Sequence, residues 1–223
     1  MKVLSRTDEE IKNDIINQLY WDSRVEASDI NVEVSDGAVN LTGKVHSYTA
    51  RLAAETDSLT IPGVISVVNG LEIILPEDTK IPTDVEILNN VINNLLCNPN
   101  IDSKNIDVSV YKSIVNLEGT VSTYWQKILS EQLAFDVAGV AKVENNLFVI
   151  PPEDIVDKQI AEAIKMALDR KPGIDTGSIE INVEQGVVTL SGKVSSWTAY
   201  HDIASAARYL VGVVNVQNNL VVE

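Results

Sequence analysis

Val39-Asn-Leu-Thr-Gly-Lys-Val45 decides the fold, because it returns twice, as Val115-Asn-Leu-Glu-Gly-Thr-Val121 and Val188-Thr-Leu-Ser-Gly-Lys-Val194. Self-similarity of this kind marks stacked or tandem units of one supersecondary pattern. With Gly43, Gly119 and Gly192 as anchors, the match runs on without a gap. Twenty residues later stand Gly63-Val64, Gly139-Val140 and Gly212-Val213, then Val67, Val143 and Val216, then Leu71, Leu147 and Leu220.

Upstream the register also holds. Ile11/Ile15/Leu19, Ile87/Val91/Leu95 and Ile160/Ile164/Leu168 recur at i, i+4, i+8, which is one face of an α-helix. Ile30/Val32/Val34, Ile106/Val108/Val110 and Ile179/Ile181/Val183 alternate as β-branched residues do on a half-buried strand. A turn follows each strand. Asp36-Gly37 and Gln185-Gly186 hold a glycine able to take positive φ, whereas Lys112-Ser113 is poorer turn chemistry and predicts a looser second hairpin.

The quoted segments supply the second strand. Ser47, Ser122-Thr123 or Ser195-Ser196 then offer an N-cap to a second helix, rich in alanine in the first and third copies, which ends near the later glycine. A third strand closes each unit, over residues 67–75, 143–150 and 213–222. Helix–strand–strand–helix–strand, three times over, predicts an α+β chain of three tandem αββαβ modules. Each is expected to have a three-stranded mixed sheet with two helices packed on one face. The modules are read as residues 1–76, 77–151 and 152–223. The links are short and proline-bearing, Pro76 to Pro82 and Pro151-Pro152, which predicts modules that pack together or keep fixed angles.

Composition narrows the function. The chain is 45% hydrophobic but only 5% aromatic, so its core is aliphatic. The net charge of −15 is spread evenly, about −6, −5 and −4 over the three modules. That field repels phosphate backbones and argues against nucleic-acid binding. One cysteine, Cys97, and two histidines, His46 and His201, give no disulfide framework and no zinc set. Asn98-Pro-Asn-Ile-Asp102 opens like a calcium loop, but Ser103 and Ser109 stand where that loop needs glycine and glutamate. No apolar run is long enough to span a membrane. Lys2-Val-Leu is followed at once by polar residues, so the chain as written reads as cytoplasmic, or periplasmic if a leader has been removed.

The motif V-x-L-x-G-x-V, the polar-aromatic segment after it and the late G-V-x-x-V-x-N-x-L resemble the BON domain of bacteria. The last motif reads Gly63-Val-Ile-Ser-Val-Val-Asn-Gly-Leu71, Gly139-Val-Ala-Lys-Val-Glu-Asn-Asn-Leu147 and Gly212-Val-Val-Asn-Val-Gln-Asn-Asn-Leu220. The resemblance covers nearly the whole chain. It implies a non-enzymatic binding or scaffold protein without cofactor, tied to osmotic or envelope stress and contacting phospholipid surfaces. The alternatives it implies are a chaperone or scaffold for protein clients and a cytoplasmic potassium sensor. The sequence departs from envelope members in lacking a signal peptide and lipobox, and from the potassium binders in lacking their fused peptidoglycan-binding module. Partners and oligomeric state are left open, with a monomer compatible.

Gly43, Gly119 and Gly192 sit mid-strand, where glycine weakens a sheet unless a bulge or a close helix–sheet approach requires it. Gly63, Gly139 and Gly212 read as positive-φ turn residues. Tyr48, Tyr124 and Trp197 recur just inside a helix start, with Trp125 beside the second. They serve either as a packing cap over the sheet or as contacts to a partner or a neighbouring module. Tyr20-Trp21 is matched only by Leu96-Cys97 and Asp169-Arg170, which makes Trp21 a local plug or a contact hot spot. His201 replaces Leu52 and Ile128 and is expected half-buried, His46 is expected on the surface or capping a helix, and Cys97 reads as a small hydrophobe. No nucleophile elbow or phosphate loop is present, and no metal or catalytic residue is assigned.

Overall fold

The computed structural model describes residues 6–74, 82–151, 155–172 and 174–222. Most of both proline-bearing links, residues 76–81 and Pro152, and the strand end at Leu75 lie outside them. By chain contacts the molecule divides into two compact units, residues 1–81 and 82–223. The first unit holds one module and the second holds two.

Module one runs α1 (Asp8–Trp21), β1 (Ile30–Ser35), β2 (Ala38–Val45), α2 (Tyr48–Thr60), β3 (Ser66–Ile73). Module two repeats it as α3 (Asp84–Cys97), β4 (Ile106–Tyr111), β5 (Ile114–Val121), α4 (Tyr124–Phe135), β6 (Lys142–Val149). Module three follows with α5 (Asp157–Asp169), β7 (Ile179–Glu184), β8 (Val187–Val194), α6 (Trp197–Arg208), β9 (Asn215–Val222). In each, the quoted V-x-L-x-G-x-V strand is central, antiparallel to the strand before it and parallel to the one after the helix. Each sheet is therefore mixed, three-stranded and α+β in class.

The periodicities bury the side chains they select. Ile87, Val91 and Leu95 of α3 meet Val115 and Leu117 of β5 and Leu147 of β6 in one aliphatic core. Ile160, Ile164 and Leu168 meet Val188, Leu190 and Leu220 in another. Ile11, Ile15 and Leu19 are buried likewise in module one, with Val39, Leu41 and Leu71. Five of the six helices start on side-chain caps, α5 beginning instead after Val156. Thr7 and Thr83 form reciprocal capping boxes with Glu10 and Glu86, and Ser47, Thr123 and Ser196 accept from the backbone N–H three residues on.

Three details differ from the sequence expectations. A short 3-10 turn precedes each first strand, over Ala27–Asp29, Ser103–Asn105 and Thr176–Ser178. This turn explains the mid-strand glycines. Gly43, Gly119 and Gly192 pair one-to-one with Ile30, Ile106 and Ile179, so there is no bulge, and no helix presses on them. A Cβ there would instead stand about 2 Å from the carbonyl oxygen of Asp29, Asn105 or Ser178, at a φ of 120°, 115° or 133°. The backbone of the entering chain occupies the side-chain space.

The second hairpin is not looser. Lys112 and Ser113 take φ of 50° and 63°, beside 49° and 76° at Asp36-Gly37 and 52° and 75° at Gln185-Gly186. All three are turns with two positive φ, and β4–β5 keeps the register of its relatives. A carboxylate holds the turn. Asp84, first residue of α3, accepts from the N–H of Lys112 at 2.8 Å and of Ser113 at 2.9 Å. Asp8 clasps Asp36-Gly37 and Asp157 clasps Gln185-Gly186 in the same way. In sequence the clasp shows as an aspartate 35 residues before each anchor glycine.

Candidate functional site

The turn glycines Gly63, Gly139 and Gly212 take φ of 97°, 91° and 89°. They let the chain turn tightly from the second helix into the third strand, against Ile11, against Pro82 and Ile87, and against Ile155 and Ile160. As at the anchor glycines, the atoms a Cβ would meet there are the protein's own.

The asparagine of V-x-N-x-L ties the third strand to the second helix. Asn69 Nδ2 donates to the Arg51 carbonyl at 2.9 Å and to Glu55 Oε2 at 3.0 Å, and its Oδ1 accepts from Leu71 N–H. Asn145 does the same with Lys127, Glu131 and Leu147. Asn218 keeps only the bond from Leu220 N–H. Among the described residues its Nδ2 is buried without a partner, and Ala204 stands where the first two modules have glutamate.

The aromatics fall into two groups. Tyr48, Tyr124 and Trp197 are each the first residue of their helix and half-buried. Within the second unit Tyr124 packs on the core cluster of module three, and the Trp125 ring lies 6.4 Å from that of Tyr209. Modules two and three therefore touch through the start of α4. Trp197 packs edge-on against Tyr200 at 4.8 Å and beside His201. His201 is exposed rather than half-buried, since these rings leave it at the rim. His46 is also on the surface, its Nδ1 2.8 Å from the Ile74 carbonyl oxygen and its Nε2 3.3 Å from Glu26. Cys97 is exposed too, so it fills no core space.

Tyr20 and Trp21 form the second group. They end α1, 71% and 80% exposed, with rings edge-to-face at 5.4 Å. Ile16, one turn earlier, is also open to solvent. Next to Trp21 lies a polar cluster. Arg24 Nε donates to both oxygens of Asp22 at 3.0 Å, and its guanidinium stands 3.8 Å from buried Asp57. The hydrogen bonds from Arg24 hold the Asp22 carboxyl far below the usual carboxylate range, while burial and the neighbouring Asp22 push Asp57 up.

Among the described residues no three His, Cys, Asp or Glu side chains gather as a metal site, and no helix is long and apolar enough to cross a membrane. Module three has a cleft of about 310 Å³ lined by Ile174, Ile179, Val194 and Ala199 and edged by Asp175 and Lys193. The Ser178 hydroxyl in its lining is engaged with the carbonyls of Asp175 and Lys193.

The fold is a tandem array of three small αββαβ modules, each with the same strand order and register. The chain belongs to the BON domain family, whose model matches residues 7–74, 83–151 and 156–223. Among solved structures it is similar to CdsD, a structural protein of the Type III secretion system of Chlamydia trachomatis, at 15% identity over 96% of this chain and 92% of that one, with a TM-score of 0.28. The C-terminal domain of CdsD matches at 15% identity over 98% of this chain and 100% of that one, with a TM-score of 0.27. No curated protein matches the sequence.

Proposed function

We propose that the protein is a non-catalytic binding or scaffold protein of osmotic or envelope stress that touches phospholipid surfaces through Tyr20 and Trp21. The observation that carries this reading is the exposure of that aromatic pair at the end of α1. Two large rings, apolar in body and polar at the tip, are left open where the equivalent positions of module three hold Asp169 and Arg170. Tyrosine and tryptophan favour the headgroup level of a bilayer for this reason. A net charge of −15 opposes anionic lipid, so the surface that suits the chain is zwitterionic. Family membership supports the non-enzymatic part.

Vesicle flotation tests it. The chain is expected to rise with phosphatidylcholine vesicles at low salt, less with phosphatidylglycerol vesicles, and to stay behind when Tyr20→Ala and Trp21→Ala are combined. Absence from both vesicle fractions at low salt removes the lipid reading. A scaffold for protein clients is the second reading, supported by Tyr111 and Phe148, 69% and 73% exposed on the sheet face of module two away from its helices.

A further inference from the structure

Three side chains of module one have no counterpart in the others. Asp22, Arg24 and Asp57 stand where module two has Asn98, Asn100 and Leu133, and where module three has Lys171, Gly173 and Ala206. Asp57, on α2, is only 6% exposed, and its Oδ2 has no hydrogen-bond partner among the described residues. Arg24 is committed elsewhere. Its Nε meets both Asp22 oxygens at 3.0 Å, its Nη2 meets Oδ2 at 2.5 Å, and its backbone N–H meets Oδ1 at 2.8 Å. It comes no nearer to Asp57 than 3.8 Å.

One guanidinium thus faces two carboxyl groups and satisfies one of them. A charged Asp57 would be buried beside the charge of Asp22 with one oxygen bare, an arrangement that costs more than it returns. A protonated Asp57 fits the same space, because its hydroxyl can donate to Asp22.

We propose that Asp22, Arg24 and Asp57 form a pH-sensitive latch joining the end of α1 to α2, closed while Asp57 holds its proton and loosened when it ionises. The charged groups facing Asp57 are Asp22 and Arg24, both from the chain that follows α1, and α1 itself contributes the uncharged amide of Gln18. Burial chiefly, then Asp22, raises the Asp57 carboxyl above the ordinary aspartate range. The folded chain therefore keeps a proton that the unfolded chain releases. Its stabilisation is complete below the ordinary aspartate value and is lost as pH rises through the raised one. Asp22 is shifted the other way, so its contribution is lost only in acid below the ordinary range. Module one is accordingly tighter at acid pH and loosens as pH rises through the raised Asp57 value. Trp21 adjoins Asp22 in the chain, so opening frees the end of α1 that carries the aromatic pair. The latch stands on the carboxyl geometry and holds whether or not that pair meets lipid.

Hydrogen exchange of the full chain, corrected for intrinsic chemistry, reads it locally. Protection over residues 18–25 and 48–60 is expected to fall severalfold as pH rises from the ordinary aspartate range to slightly alkaline values, following the loss of the Asp57 proton. The equivalent helix of module two, residues 124–135, is expected to stay level. Asp57→Asn, and Asp57→Leu, which copies module two, are expected to flatten the response. An equal fall in both variants, or in module two, overturns the latch. So does a carbon-13 carboxyl titration of the unaltered chain in which Asp57 titrates with the ordinary aspartates, a measurement that needs no variant to fold.

Discussion

Modules two and three share a backbone register residue for residue, yet they secure it with different side chains. Module two builds its hairpin turn without glycine and anchors Asn145 to both a carbonyl and Glu131. Module three has Gly186 in the turn and leaves the Nδ2 of Asn218 without a partner among the described residues. Each module economises at one point and is well made at the other. What both keep is the anchor glycine, the aspartate clasp and the aliphatic stripes. The comparison separates the features the fold demands from those that one compensating contact can replace.

The anchor glycine belongs to the first kind, and Gly119→Ala tests it most severely. The new Cβ would stand 2.0 Å from the Asn105 carbonyl oxygen, a backbone atom that cannot step aside, at a φ that L-residues avoid. We expect a loss of at least about 3 kcal/mol, seen in denaturant unfolding as early opening of module two. Gly192→Ala should cost module three as much, because its φ and its clash with Ser178 are alike. A mild effect in either module would make the glycine dispensable and break the equivalence.

The aspartate clasp is shared, but it carries more in module two. Asp84 accepts from two N–H groups of a turn in which both central residues are non-glycine, whereas Asp157 supports a turn already eased by Gly186. Asp84→Ala is expected to cost about 2 kcal/mol, and Asp157→Ala about half of that. Ser113→Gly should recover roughly 1 kcal/mol in the Asp84→Ala background, since it removes the left-handed strain that the clasp was holding. Thermal unfolding of the three variants distinguishes the cases, and equal losses at Asp84 and Asp157 would show that the turn residues do not matter.

The fold was legible because burial imposes its periods on sequence. Ile11, Ile15 and Leu19 are spaced as a helix face and are buried as one, and Val39 and Leu41 alternate and point inward. Contacts between polar groups were harder to read. The Asp8, Asp84 and Asp157 clasps recur at fixed spacing but leave no hydropathy pattern, since a carboxylate at a helix start is ordinary for dipole reasons alone. The Asp22–Asp57 pair had no repeat to announce it, being brought together by the packing of α1 on α2 across 35 residues of chain. Lys112-Ser113 misled because turn propensity is a local preference, and a tertiary contact with Asp84 overrode it. The recurrent aromatics kept two readings in sequence for a similar reason. What lies against Tyr124 is the core of module three, in the next copy of the repeat.

The smallest effect lies at the asparagine. Asn145 donates to the Lys127 carbonyl and to Glu131 and accepts from Leu147 N–H, so Asn145→Ala removes three hydrogen bonds and strands a half-buried carboxylate. Asn218→Ala removes one hydrogen bond and, with it, a buried donor that no described residue satisfies. Because an unmet buried donor is itself a cost, the second substitution should be cheaper than the first by about 1 kcal/mol, with Asn145→Ala near 2 kcal/mol. Glu131→Ala makes module two resemble module three and should cost about 1 kcal/mol alone and close to nothing once Asn145 is alanine, the coupling expected of groups in direct contact. If Asn218→Ala proves as damaging as Asn145→Ala, then Asn218 has a partner in solution that replaces the missing glutamate, and the third module is as fully satisfied as the second.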